Sequence, residues 1–456
     1  MTAVSTTTFD ERALESLPDA TSFVAKLRAD ALQRFEAMPV PSQETEEWRY
    51  TDLSGFELDF TPYVEGGTAT HLDQVPADLL AAAGDVSARA GLLVQHNSTT
   101  MIAHLDPAIR GANEATTERR SKVHFESIDS ALIDHPEIVE RYLHALVPAD
   151  RTKFTALHAA FRIGGTFVLV PNDTKVELPI QALTYLDADG AAIFPHTILV
   201  VGDGAEVTFI DRYVSPDLRR AFSNAITEIY VGEGAHLRYV SIQEWGSGVT
   251  HLGIQRATVG RDATLRTLNI GFGASLARAE AETVLAEPGG FSEMLGVFFA
   301  DEDQHFDHRS IQDHVAPNCT SDLLYKGALR DHSRAVYSGW VHVRPDAQKT
   351  NAMQTSRNIV LSEHAKADAI PNLEIEANDV RCGHAASVGP VDEDAIFYLM
   401  SRGIPRAEAE RLIVSGFFQE VLDRVKIDEV REGAEKAIQD ELAQGLGTQA
   451  QPKVSA

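Results

Sequence analysis

Three short stretches repeat one pattern: Gly202-Asp203-Gly204-Ala205-Glu206-Val207, Gly232-Glu233-Gly234-Ala235-His236-Leu237 and Gly260-Arg261-Asp262-Ala263-Thr264-Leu265. Their first residues lie 30 and 28 positions apart. Each joins a Gly- or Asp-rich turn to a small residue and then resumes strand-like alternation. Weaker versions follow at Arg344-Pro345-Asp346-Ala347 and Ser362-Glu363-His364-Ala365. A small residue behind a tight turn, recurring at the length of a coil, suits stacked rungs in which each turn sits closely on the one below. The pattern predicts a β-solenoid. On spacing alone a β-sandwich with ordinary hairpin turns stays open, because the repeat is loose.

Outward from these turns, the period-two pattern begins near Gly164. Val176, Leu178, Ile180 and Ala182 alternate with Lys175, Glu177, Pro179 and Gln181, as on a strand with one buried face. It continues to about Val388. Before it, residues 9–40 carry Leu14, Phe23, Leu27, Leu32 and Phe35 at helical spacing and stop at Pro39 and Pro41. Residues 119–160 read as helical again, through Ile138, Tyr142, Leu143 and Leu146 and then Phe154 and Leu157.

After the strands, Asp392 is placed to cap a helix bearing Ile396, Phe397, Leu399 and Met400, which Gly403 ends. Pro405 opens a second helix with Ala409, Leu412, Ile413, Gly416 and Phe417 on one face, and a third, acidic helix runs from Ile427 to Leu442. The expected organisation is a disordered start (1–8), an N-terminal α-rich domain (9–160), a β core (161–388), a C-terminal helical domain (389–444) and a disordered tail (445–456).

With 44% hydrophobic residues in 456, the chain can bury a large core, and its net charge of −27 repels phosphate backbones and anionic lipid headgroups. Neither nucleic acid nor a membrane is an expected partner. Two cysteines, Cys319 and Cys382, are too few for a disulfide framework, and Met1–Thr8 lacks the basic and apolar parts of a leader. The expected location is the cytoplasm. No Gly-x-x-x-x-Gly-Lys-Ser/Thr loop occurs, so any use of ATP must pass through another subunit.

Among residues able to do chemistry, His384 offers an imidazole suited to iron. Taken alone it reads as readily as a histidine that satisfies a buried backbone group where the strands end. Cys382, two residues earlier on the same side of a strand, is either a second ligand or a packed thiol. One Cys and one His are too few donors to close a metal-cluster site, which takes about four ligands.

His305, His308, His314 and Cys319 form the densest group of possible ligands, but the odd separations 305–308 and 314–319 put neighbours on opposite strand faces. Rung residues are expected there instead of a zinc site, with a route for iron or sulfur along the solenoid as a further reading. Asp301, Glu302 and Asp303 are the candidate acid and base of a polysaccharide-acting β-helix enzyme, although their direct succession on a turn suits solvation better. The apolar face of Phe397, Tyr398, Leu412 and Phe417 is either a packing surface or a docking surface.

Several longer segments carry a resemblance. They are Arg344-Pro345-Asp346-Ala347-Gln348-Lys349-Thr350-Asn351-Ala352, Asn358-Ile359-Val360-Leu361-Ser362, Asp379-Val380-Arg381-Cys382-Gly383-His384-Ala385-Ala386-Ser387-Val388-Gly389 and Ile396-Phe397-Tyr398-Leu399-Met400-Ser401-Arg402-Gly403-Ile404. Upstream stand Glu47-Trp48-Arg49-Tyr50-Thr51 and Cys319-Thr320-Ser321-Asp322-Leu323-Leu324-Tyr325-Lys326-Gly327. Together they resemble the SufB/SufD family of the SUF iron–sulfur cluster assembly system.

The resemblance implies a mainly β fold, a right-handed parallel β-helix core with N- and C-terminal helical parts. It also implies a non-catalytic scaffold that pairs through the β-helix with a SufB-type subunit or a second copy, and that binds the ATPase SufC through its C-terminal helices, here Phe397, Tyr398, Leu412 and Phe417. His384 is implied as a ligand to a transient cluster or iron shared with SufB, beside the Cys382 that spacing offers as a second ligand, with no cofactor held stably by the chain alone. Ser356 where SufB has its sulfur-accepting cysteine, Ala385 where SufB has Glu, and the Cys382-Gly383-His384 triplet resemble the SufD type more than the SufB-type paralogue.

Overall fold

The computed structural model describes residues 8–107 and 123–448, with side chains as far as Ala443. The expected disordered start lies outside the described residues except for Thr8, as do residues 119–122 of the second helical reading and the tail from 449 onward.

From His196–Val201 onward successive strands alternate between two sheets, and until the last rung each pairs in parallel with the strand one coil before and one coil after. One sheet runs, in order, through Thr99–Leu105, Gly91–His96, Ile180–Tyr185, Glu206–Val214, His236–Glu244, Thr264–Gly271, Phe291–Ala300, Thr320–Leu329, Asn351–Val360 and Arg381–Pro390. The other runs from His124–Ser127 through Thr166–Val170, His196–Val201, Ala221–Val231, Val249–Val259, Leu276–Leu285, His305–His314 and Arg334–Val343 to Lys366–Ile375. The result is a parallel β-solenoid of about 8 turns, not a sandwich of hairpins.

The repeated turns stack as their small residues require. Gly204 N–H donates to the Glu233 carbonyl at 2.8 Å, Gly234 N–H to Arg261 at 2.8 Å, and the Asp203 carboxylate accepts from Glu233 N–H at 2.8 Å. A Cβ on Gly232 would lie 2.8 Å from Asp203 N and 2.9 Å from the Gly202 carbonyl carbon, closer than any side chain fits. Ala205, Ala235 and Ala263 form a fully buried file beneath these turns.

Three strands fall inside the domain expected to be α-rich, and one of them, His124–Ser127, lies within the stretch 119–160 read as helical. Gly91–His96 pairs in parallel with Ile180–Tyr185 and antiparallel with Thr99–Leu105, and His124–Ser127 pairs antiparallel with Thr166–Val170. Leu92-Leu93-Val94 is a continuous apolar run buried on both faces, and such a run has no period to read. The helices Ser22–Ala37 and Lys153–Phe161 pack against this start of the solenoid.

At the other end, helices Glu393–Ser401, Arg406–Leu422 and Asp428–Thr448 cover the outer face of the first sheet, with Val414, Phe418 and Val421 in one core with Leu268, Leu295 and Leu324. Asp392 caps the first helix, accepting from Asp394 and Ala395 N–H at 2.9 and 3.3 Å. Gly403 sits at φ +89°, and Pro405 takes the N-cap of the second helix, one place before its first turn. The third helix continues to Thr448, into the stretch expected to be tail. Among the described residues no helix is long and apolar enough to cross a membrane.

Candidate functional site

The solenoid ends on an uncovered rung. Lys366–Ile375 and Arg381–Pro390 are the last strands of their sheets, each paired on one side only. Below the second of them, Ala352, Gln354, Ser356 and Asn358 point inward and are buried, and they stand in register with Cys382, His384, Ala386 and Val388. These four therefore occupy the inward file of the final rung, where among the described residues no further rung covers them. His384 is exposed, without a hydrogen-bond partner among the described residues, and Val388 is 43% exposed. His384 thus does not satisfy a buried backbone group.

Cys382 and His384 share one file, separated by a rise of about 6.6 Å. Cys382 is half-buried beside Val341 and Ala352, and that burial pushes its thiol up, which disfavours the thiolate. Cys319 is buried and held up in the same way, with its Sγ 3.3 Å from the Glu287 carbonyl.

Beneath the end rung the interior is polar. Both amide atoms of Gln354, Ser356 Oγ and Asn358 Oδ1 are buried without partners. Gly339 on the facing strand makes the room, since a Cβ there would sit 2.2 Å from Gln354 Nε2. An unpartnered buried polar group costs about 1–3 kcal/mol, so this file stabilises less than an apolar one would. Such groups suit water or a polar passenger.

The four ligand candidates of the middle rungs are not brought together. His308 packs 4.6 Å from the Phe298 ring, while His314 Nε2 is 2.8 Å from Ser321 Oγ. Groups of three possible ligands that do converge among the described residues are His144, His158 and His196; His124, Glu126 and His135; and His342, Glu374 and Glu376. The sequence carries no signal for the first group, whose members come from a loop, a helix and a strand. Asp301, Glu302 and Asp303 form a turn, and Asp301 is engaged by Arg330 at 2.7 Å. No carboxylate pair for glycan hydrolysis results.

On the C-terminal helices, Phe397, Tyr398 and Leu412 are 73%, 57% and 46% exposed. Phe417 is turned toward the solenoid instead: Lys326 Nζ lies 4.6 Å over its ring and donates to its carbonyl at 2.7 Å. Glu47–Thr51 is an anchoring segment. The Trp48 ring lies 4.1 Å from the Arg278 guanidinium, and Thr51 Oγ1 donates to Asp307 at 2.6 Å.

A parallel β-solenoid, helically covered at its start and along one face and open at its last rung, is the class of protein that this architecture defines. The model for the SUF system FeS cluster assembly SufBD core domain matches residues 184–417, and that for the SufBD protein N-terminal region matches residues 91–182. The chain is 32% identical to the iron-sulfur cluster assembly protein SufD of Bacillus subtilis, over 90% of this chain and 92% of the relative. It is 34% identical to an iron-sulfur cluster assembly SufBD family protein of Mycobacterium leprae, over 73% of this chain and 86% of the relative. The chain belongs to the SufBD family of iron–sulfur cluster assembly proteins.

Proposed function

We propose that the chain acts as the SufD-type scaffold of a SUF assembly complex in the cytoplasm, offering His384 to a nascent cluster or iron at a contact with a SufB-type subunit. One observation carries this reading: His384 stands unpartnered and exposed on the inward file of an end rung whose backbone edges are free. Free edges of ten-residue strands are templates for another chain, here a SufB-type subunit or a second copy. Imidazole plus a thiol held up by burial is too small a donor set for a cluster, which is cargo shared with ligands from the partner.

The test is co-expression of the full chain with SufB-type and SufC-type proteins. His384→Ala is expected to leave co-purification intact while the yield of assembled cluster falls. An unchanged yield removes His384 from the chemistry.

ATP enters through the partner SufC, with Phe397, Tyr398 and Leu412 as its docking face. Exposed aromatic residues of this kind act as interface anchors, each worth about 1–2 kcal/mol on truncation. Phe397→Ala and Tyr398→Ala are each expected to weaken SufC binding about tenfold in calorimetric titration. Affinities equal to wild type would reassign the docking face.

A further inference from the structure

His144, His158 and His196 meet where the loop after Tyr142, the helix Lys153–Phe161 and the strand His196–Val201 come together. All three are buried, and one nitrogen of each lies within 4.8 Å of the others. Their rings stand edge to face, with centroids 4.9–5.4 Å apart.

Each ring uses one nitrogen and leaves the other idle. His144 Nδ1 donates to the Val147 carbonyl at 3.1 Å, His158 Nε2 to the Pro195 carbonyl at 3.2 Å, and His196 Nε2 to Glu228 Oε2 at 3.0 Å. His144 Nε2, His158 Nδ1 and His196 Nδ1 are buried without any partner. A neutral imidazole whose N–H is fixed by a carbonyl or carboxylate presents its other lone pair to a metal, and this outer-shell arrangement is the usual one at histidine metal sites.

The surroundings supply charge and rigidity. Glu228, itself buried, accepts backbone N–H groups from His144, Leu146 and Val147 at 2.7, 2.6 and 3.0 Å, which orients the loop as well as His196. Arg162 is the cation that opposes a bound metal, and it is occupied by Asp129 at 2.9 Å and the Gly164 carbonyl at 2.7 Å. His144 adopts φ +57°, a left-handed conformation that a non-glycine residue takes only when its surroundings hold it there.

We propose that His144, His158 and His196 form a structural site for a borderline divalent cation, zinc by preference, that staples the N-terminal cover to the first rungs of the solenoid. Three imidazole donors without a thiolate suit zinc and its neighbours in the first transition row. A tetrahedral site with bonds of about 2.0–2.1 Å needs nitrogens about 3.4 Å apart, so binding draws together three nitrogens that lie within 4.8 Å of one another, with a water in the fourth position. Closure from solvent makes the site structural, and it is separate from the end rung that carries His384.

The test uses the full-length, tag-free chain, dialysed against chelator and titrated with Zn²⁺ alone. About one equivalent is expected to bind and to raise the thermal midpoint, and Co²⁺ in its place should give the intense visible spectrum of a tetrahedral nitrogen site. His158→Gln should weaken binding at least about tenfold. Failure of the wild-type chain to bind, a weak octahedral Co²⁺ spectrum, or undiminished affinity in His158→Gln would each overturn the proposal. The wild-type measurements decide the matter even where the variant folds poorly, and the last outcome would move the metal to one of the more exposed ligand groups.

Discussion

Lowering the pH from about 7.5 to about 5 is expected to cost about 4–5 kcal/mol through three buried histidines set against one buried aspartate, a large part of the stability of an ordinary domain. His251, His308 and His314 lie inside the solenoid, and burial pushes each of them down to about 4. Their neighbours are rings and hydroxyls: His308 sits among Phe298, Phe306 and Tyr325, His251 Nδ1 is 3.1 Å from Ser223 Oγ, and His314 is bonded to Ser321. A folded pKa below the unfolded value means that the unfolded state binds more protons, so stability present above about 6.5 is lost as the pH falls toward 4.

At pH 5 that loss is about 2 kcal/mol for each histidine. Asp211 works in the opposite direction. Burial raises it to about 6 despite hydrogen bonds from Thr197, Tyr213 and Tyr239, so the folded state takes up its proton first and regains about 1 kcal/mol at pH 5. Urea unfolding at the two pH values measures the difference. In His308→Gln the acid loss should shrink by about 2 kcal/mol. A loss equal to that of wild type would mean that the ring is hydrated or already paired.

The elements legible in the sequence are those in which one residue type has one physical task. Gly232 cannot carry a Cβ above Asp203, and Ala235 fills a file too narrow for more, so the turns announce the stacking. Asp392 can only cap. Burial on both faces erases the period of Leu92-Leu93-Val94, so the sequence shows no strand there inside the domain expected to be α-rich. The pattern that grouped Phe417 with Phe397 records which residues are apolar, but not that Lys326 would cover one of them.

Position carried the end-rung site, because Cys382 and His384 two apart on a strand must share a file. Whether that file would be covered depended on where the coils stop. The three-histidine cluster was illegible for the opposite reason, since its members meet only after a loop, a helix and a strand have each found their places. The Glu47–Thr51 motif was visible as a resemblance without a task, and its contacts with Arg278 and Asp307 supply one.

Removing that anchor at its centre, by Asp307→Ala, is expected to destabilise the chain by about 3–5 kcal/mol. Arg278 and Asp307 stand side by side on neighbouring strands and form an ion pair with both side chains almost wholly buried. The same carboxylate oxygen accepts from Thr51, while the Arg278 guanidinium is sandwiched against Trp48, so one acid holds the N-terminal segment and the cation beneath it. Alanine leaves the buried Arg278 guanidinium only the more distant Glu280 carboxylate at 4.0 Å, and Thr51 without its acceptor. Both losses fall on the folded state alone.

The double replacement Arg278→Met with Asp307→Leu removes the two charges together and should recover most of the stability, because a buried pair repays little beyond its own desolvation. Urea unfolding gives the magnitude, and limited proteolysis around Trp48 shows whether the segment has come loose. A double variant as unstable as Asp307→Ala would transfer the effect from electrostatics to packing. A single variant costing under about 1 kcal/mol would mean that water already shares the carboxylate.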